Sequence, residues 1–250
     1  MNKPMNQKKR RLPAVPKYQK TSYDPQNMNP ENIDRQVVEL VPAKSSVLEL
    51  GCATGFMGQW LKEKKNCTVY GIELADAERE QAKKVLEQVY KLDLSLSKEL
   101  ETFQDLFVKQ HGQVDVILAT SILEHLQHPE ETVRLLKTFL KPNGILIATT
   151  PNIAHWSTRL MLLFGRFQYQ KYGIMDDTHL KFFTFHTFQD LFQGQGYAIT
   201  HVSIDAEGGG FGRICIPLSK IWPNLFGYQI LVQAIPTPTH VISKKRFKNI

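Results

Sequence analysis

Three acidic side chains stand where a carboxylate could hold a ligand rather than coat a surface. Glu49 lies two residues before the first glycine of Gly51-Cys52-Ala53-Thr54-Gly55, a turn that follows the apolar run Ser46 to Leu50. Glu73 ends the next such run, Thr68 to Glu73, and Asp93 follows the short run Val89 to Leu92. A glycine-rich turn lets the backbone approach a bound molecule closely, and the helix start behind it offers N–H groups. This turn is not built for phosphate. A dinucleotide fingerprint needs glycines at 51, 53 and 56, where the chain has Gly51, Ala53 and Phe56, and no Lys-Ser or Lys-Thr pair follows to complete a phosphate-cradling loop. A carboxylate beside the turn suits a ligand of cationic character instead. Imidazoles make a second set, with His125 and His128 after the fourth apolar run and His155 and His179 in a long segment further on. Their chemistry would be proton transfer to or from a hydroxyl near neutral pH.

Each of these residues also has a bland role. One acid alone reads as a solvated strand end or a helix cap; three at consecutive strand ends, one of them with the glycine turn, read as a site. His125 fits acid–base chemistry and a packing role equally well. His128 precedes Pro129 and reads as an exposed helix start. Asp177-Thr178-His179 could be a capping turn, because Asp and Thr commonly bond local backbone. Function is preferred for His179, which sits in the one segment that breaks the surrounding rhythm.

That rhythm is an alternation of short apolar runs with amphipathic stretches, the pattern of a doubly wound α/β sheet with helices on both faces. Helices are expected at Glu31 to Val41, Gly55 to Lys64, Asp76 to Gln88, near Ser97 to Lys109, Pro129 to Leu140 and Thr184 to Gln193. Strands are expected at the three runs above, then at Val114 to Ala119, Gly144 to Thr150, Tyr197 to Asp205 and Gly227 to Ile235. Pro151 to Phe183 fits neither strand nor a single helix, and so long a segment in a compact domain is commonly a substrate cover. Glycine-rich Gly208 to Gly212 and a proline-containing excursion separate the last two strands.

The acid two residues before G-x-A-x-G, in this order of elements, resembles the first motif of the class I S-adenosylmethionine-dependent methyltransferases. The resemblance runs from about Glu31 to Ile235 and implies a Rossmann-like seven-stranded, mainly parallel sheet whose last strand is antiparallel. It implies S-adenosylmethionine as cofactor, bound by Glu49, Gly51, Ala53, Gly55, Glu73, Leu74, Asp93, Leu94 and Thr120. Glu73 would accept the ribose hydroxyls, Asp93 the adenine amino group, and Leu94 would line the ring. Ser121-Ile122-Leu123-Glu124-His125-Leu126, Thr150-Pro151-Asn152 and the stretch from Tyr172 to Thr184 resemble small-molecule O-methyltransferases often encoded with cell-surface polysaccharide enzymes. The acceptor is then expected to be a small or saccharide-like molecule, with His179 and His125 as the catalytic candidates. Some ubiquinone-pathway and small-RNA methyltransferases resemble the chain at Glu-x-x-Glu-His, where both acids and the histidine can hold a divalent ion. Here Ser121 replaces the first acid, so no metal site is expected. Aromatics in the insertion, interleaved with Arg159, Arg166, Lys171 and Lys181, could stack on sugars or bases, or form a small core over the cofactor.

Charge bounds the partners. The net formal charge of +7 invites a nucleic-acid reading. However, seven cations precede Asp24 and four close the C-terminus, leaving 20 basic residues against all 24 acids between Ser22 and Ser243. The chemistry therefore belongs to a mildly acidic domain at residues 30–236, flanked by basic tails at 1–29 and 237–250. RNA binding through those tails, and a cofactor-binding partner without turnover, are the rival functions. The tails could contact an anionic surface, and Leu160 to Phe164 could touch a membrane. Three cysteines without CxxC spacing argue against a disulfide framework, and no apolar run is long enough to span a bilayer, so a cytoplasmic home is expected.

Overall fold

The computed structural model describes residues 23–205 and 212–237. Most of both expected tails, and Gly208 to Phe211, lie outside the described residues. Within them run α1 (Ile33–Leu40), β1 (Ser46–Leu50), α2 (Phe56–Lys65), β2 (Thr68–Ile72), α3 (Asp76–Ala82), β3 (Gln88–Tyr90), α4 (Ser97–His111) and β4 (Val114–Thr120). Then follow α5 (Pro129–Leu136), β5 (Leu140–Pro151), α6 (Trp156–Leu163), α7 (Phe185–Gly194), β6 (Tyr197–Asp205), α8 (Gly212–Ile221), α9 (Pro223–Phe226) and β7 (Gln229–Pro236).

The seven strands form one sheet in the order β3-β2-β1-β4-β5-β7-β6. β1 to β5 pair in parallel, and β7 runs antiparallel to both β5 and β6. This is the Rossmann-like sheet expected, with its antiparallel last strand. Strands buried on both faces must be apolar on both faces. Leu48 and Leu50 of β1 pack with Ile117 and Ala119 of β4 in one core, under Phe107, Val133 and Phe192 from α4, α5 and α7. Val47, Val116 and Leu118 face the other core, with Val37, Leu61 and Ala82 from α1, α2 and α3. Glu49 shares the face of Val47 and is therefore carried into the interior by the strand's own two-residue period.

Several elements differ from expectation: α5 stops at Leu136 instead of Leu140, and β5 starts at Leu140 instead of Gly144. α3 stops at Ala82 instead of Gln88, and Val85 and Leu86 then fill the space left by Gly55, Gly58 and Gly71. The Pro151 to Phe183 segment contains α6, capped by the His155 side chain, which accepts from the Ser157 N–H. α8 and α9 occupy the proline-containing excursion, and α8 tolerates Pro217 within it.

Candidate active site

One cleft of about 890 Å³ opens at the C-terminal ends of β1 to β5, where ligands bind in open α/β sheets. Its floor is the turn after β1. Gly51, Ala53 and Gly55 have φ of +64°, +47° and +80°, which only glycine adopts without cost. Gly55 also caps α2, and a side chain at Gly51 would meet Ile122 Cδ1 at 2.9 Å. Glu73 locks the turn in place: Oε2 accepts from Ala53 N at 2.9 Å and Oε1 from Ala75 N at 2.8 Å. Asp93 holds its own loop through Ser95 N at 2.9 Å.

All nine residues expected at the cofactor, except Gly55, line this cleft; Gly55 acts one step behind, through the turn. Sequence reasoning missed Asp34 from α1, Glu78 from α3 and Gln229 from β7, because nothing in their local patterns marks them as converging there.

Glu49 is the unusual group. It is buried, and among the described residues its Oε2 has no hydrogen-bond partner. Burial pushes its carboxyl up to about 8, opposed by the Gly58 N–H and reinforced by Glu73 and Asp34. A buried carboxyl with an empty acceptor beside a left-handed turn fits a cationic ligand, and the residues present therefore suit the cofactor that the first motif implies.

The other end of the cleft is assembled across β4, β5 and the insertion. Thr120 ends β4, and Ser121 turns left-handed with φ +47°, its N–H donating to Thr149 O at 3.1 Å. The Glu124 carbonyl accepts from Leu180 N and Lys181 N at 2.8 and 3.0 Å, which brings the end of the insertion against the segment after β4. His125 and His179 consequently meet, with ring centroids 4.8 Å apart. His125 Nδ1 faces Thr178 O at 3.2 Å and His179 Nδ1 faces Ile174 O at 3.1 Å. A carbonyl can only accept, so Ile174 O assigns the proton of a neutral His179 ring to Nδ1 and makes Nε2 its basic nitrogen, whereas His125 Nδ1 also faces Thr178 Oγ1 at 3.2 Å, a hydroxyl that can donate or accept.

The capping turn weighed for the insertion is present, but it is centred on Asp176, whose Oδ1 accepts from Thr178 N at 2.8 Å and Thr178 Oγ1 at 2.5 Å. His179 follows this turn directly. His155 points elsewhere: it caps α6, and burial lowers its imidazole to about 4. His128 is exposed beside Glu130.

Glu124 was set aside in the sequence once Ser121 replaced its partner acid. In the structure it is buried, and burial raises its carboxyl to about 8 against the opposing pull of the nearby Thr150 hydroxyl. Glu124, His125 and His179 bring potential ligand atoms within 4.8 Å of one another. The sequence singles out His179 by itself but not its meeting with Glu124 and His125, because it lies 54 residues after His125.

The insertion's aromatics do not form the small core considered above. Phe183 joins the main core and Tyr172 lines the cleft, whereas Phe164, Phe167 and Tyr169 are exposed.

Fold and cleft define a class: a doubly wound α/β protein with its ligand site at the strand ends and an acid-lined, phosphate-averse cofactor turn. Residues 22–202 match a family model described as a methyltransferase domain, and the chain belongs to that family. S-adenosylmethionine is the cofactor which that membership implies. Curated relatives include a ubiquinone biosynthesis O-methyltransferase of Xanthomonas axonopodis pv. citri, 26% identical over 50% of this chain and 51% of that one. A malonyl-[acyl-carrier protein] O-methyltransferase of Halalkalibacterium halodurans is 27% identical over 51% of this chain and 50% of its own. The chain spans about half the length of the curated relatives it matches. An S-adenosylmethionine-dependent methyltransferase from Archaeoglobus fulgidus has the same fold at TM-score 0.55, 16% identity and coverage of 80% of this chain and 90% of that one. The [4+2]-cyclase SpnF is similar too, at TM-score 0.53, 13% identity and coverage of 82% and 81%. Likeness of fold therefore does not choose the reaction.

Proposed function

We propose that this chain is an S-adenosylmethionine-dependent O-methyltransferase acting on a small-molecule or saccharide-like acceptor. The observation that carries the reading is one cleft with two chemistries. Glu49, Glu73 and Asp93 line one end with carboxylates, and the paired imidazoles of His125 and His179 line the other. The names of the O-methyltransferase relatives support oxygen as the acceptor atom.

The cofactor, when bound, supplies a methyl group on a sulfonium sulfur. Glu49, Glu73, Asp93 and the turn through Gly51, Ala53 and Gly55 hold it, with Leu74, Leu94 and Thr120 completing the wall. His179, with its ring oriented by Ile174 O, takes the acceptor hydroxyl proton at Nε2, and the His125 ring packed against it fixes its position. The rest is alignment: in-line displacement needs collinear partners in a dry cleft more than covalent help. The insertion at residues 151–183 is the substrate-side cover of a domain at 30–236.

The spacing of Glu124, His125 and His179 favours a second reading, in which a divalent ion held by these three lowers the pKa of the acceptor hydroxyl. Activity that survives exhaustive chelation removes it. RNA binding through the basic tails rests on residues outside the described ones, and no observation favours a partner without turnover. Incubation of the protein with labelled S-adenosylmethionine and cell extract, followed by identification of the labelled product, tests the reading. A labelled small molecule carrying a new methyl ether or ester supports it; label in RNA alone, or in nothing, refutes it.

A further inference from the structure

The insertion carries a surface that, apart from Tyr172 at its end, lies outside the cleft. Residues 162–172 are all exposed in an unbroken run, and six of the eleven are large and apolar or aromatic: Leu162, Leu163, Phe164, Phe167, Tyr169 and Tyr172. Leu163 and Phe164 are 78% and 71% exposed. The projection is ordered by its backbone rather than by burial, since Arg166 N donates to Met161 O at 3.0 Å, Gln170 N to Met175 O at 2.8 Å and Asp177 N to Gln170 O at 2.9 Å. Beside it, Trp156, Arg159, Leu160, Leu163 and Leu225 line a shallow groove of about 420 Å³ between α6 and α9. Ile221 and Trp222, at the junction of α8 and α9, are 67% and 57% exposed. Soluble surfaces rarely expose apolar side chains in such density without a partner.

Charge identifies that partner. From Pro151 to Met175 the chain has no acidic residue, while Arg159, Arg166 and Lys171 are all exposed. Aromatic and leucine side chains at the tip, interleaved with cations and free of acids, are what enters the boundary between headgroups and acyl chains of an anionic bilayer. A protein partner would have to present an acidic surface around an apolar one. A lipid surface presents both everywhere.

We propose that this face, from Leu160 through Tyr172 together with Ile221 and Trp222, docks the protein on anionic phospholipid. Leu163, Phe164 and Phe167 enter the acyl boundary, and Arg166 and Lys171 meet the headgroups. Tyr172 and Gly173 also line the cleft, so the docked face reaches its mouth.

The test uses the full chain without cofactor, so its outcome is independent of methyl transfer. Sedimentation with phosphatidylcholine vesicles containing about one-third phosphatidylglycerol is compared with sedimentation on phosphatidylcholine alone. The expected result is binding to the anionic vesicles that falls on the order of tenfold or more in Leu163→Ser/Phe164→Ser/Phe167→Ser, with an unchanged melting midpoint because these side chains bury little. In a separate Phe164→Trp variant, emission should shift to the blue on vesicle addition and be quenched by brominated acyl chains, which reports insertion at the tip itself. The proposal is overturned if wild type stays in the supernatant, or if the triple variant binds equally well, which would assign binding to charge in the tails. It is also overturned if ultracentrifugation finds a self-associated chain that the triple variant converts to monomers.

Discussion

Glu49 concentrates the cofactor argument in one carboxyl. Burial holds it near 8, so at neutral pH it is mostly protonated. A cationic ligand favours the ionised form, so binding must expel a proton, and affinity for S-adenosylmethionine should rise with pH up to about 8 and then level. Calorimetry in buffers of different ionisation enthalpy reads this proton directly, and Glu49→Gln should abolish both the proton and the pH dependence. At the other end of the cleft, His179→Ala should lower kcat by about 10²- to 10⁴-fold with little change in cofactor affinity, as removal of a general base does. Equal loss of cofactor binding would show that the residue merely shapes the cleft. The carboxylates were legible because strand ends are legible. Glu124 was not, because its importance depends on burial and on a histidine that only tertiary folding brings near.

Elements explain the rest of that contrast. β1, α2 and β2 lie within a residue or so of the sequence reading, because their apolar period and the glycine turn speak to local structure. The turn's tolerance is narrow. At Gly55 a side chain would face φ +80° and meet Val85 Cγ2 at 2.9 Å and Ala82 Cα at 3.2 Å. Gly55→Ala should therefore cost about 1–2 kcal/mol for the left-handed backbone, with a further overpacking penalty of about 1–3 kcal/mol. A lowered melting midpoint together with weakened cofactor binding checks this. The insertion could not be read in the same way. Its course is set by long-range bonds such as Asn152 Nδ2 to Gly227 O at 2.8 Å and Leu180 N to Glu124 O at 2.8 Å, and neither has a local signature. α8 was masked by Pro217 and the glycines before it.

At the scale of the whole molecule, two buried acids set a cost on the fold that varies with pH. Glu49 and Glu124 stand near 8 when folded against an ordinary value of 4.5. A raised carboxyl pKa gives stability that is complete below about 4.5 and is lost as pH climbs through about 8. The melting midpoint of the empty protein should therefore fall relative to Glu124→Gln across that window, a trend that differential scanning calorimetry can follow. Net charge has a different meaning: +7 over the chain, but 20 basic against 24 acidic residues between Ser22 and Ser243. The cleft sits in the acidic part. The central claim is that the ends of β1, β2 and β3 form an S-adenosylmethionine site with Glu73 as a direct ligand. Isothermal titration of S-adenosylmethionine into wild type, Glu73→Ala and His179→Ala tests it most directly. One saturable site is expected, weakened by roughly 10- to 100-fold in Glu73→Ala, as loss of hydrogen bonds to a charged group requires, and unaltered in His179→Ala. No binding by wild type, or undiminished affinity in Glu73→Ala, would contradict it.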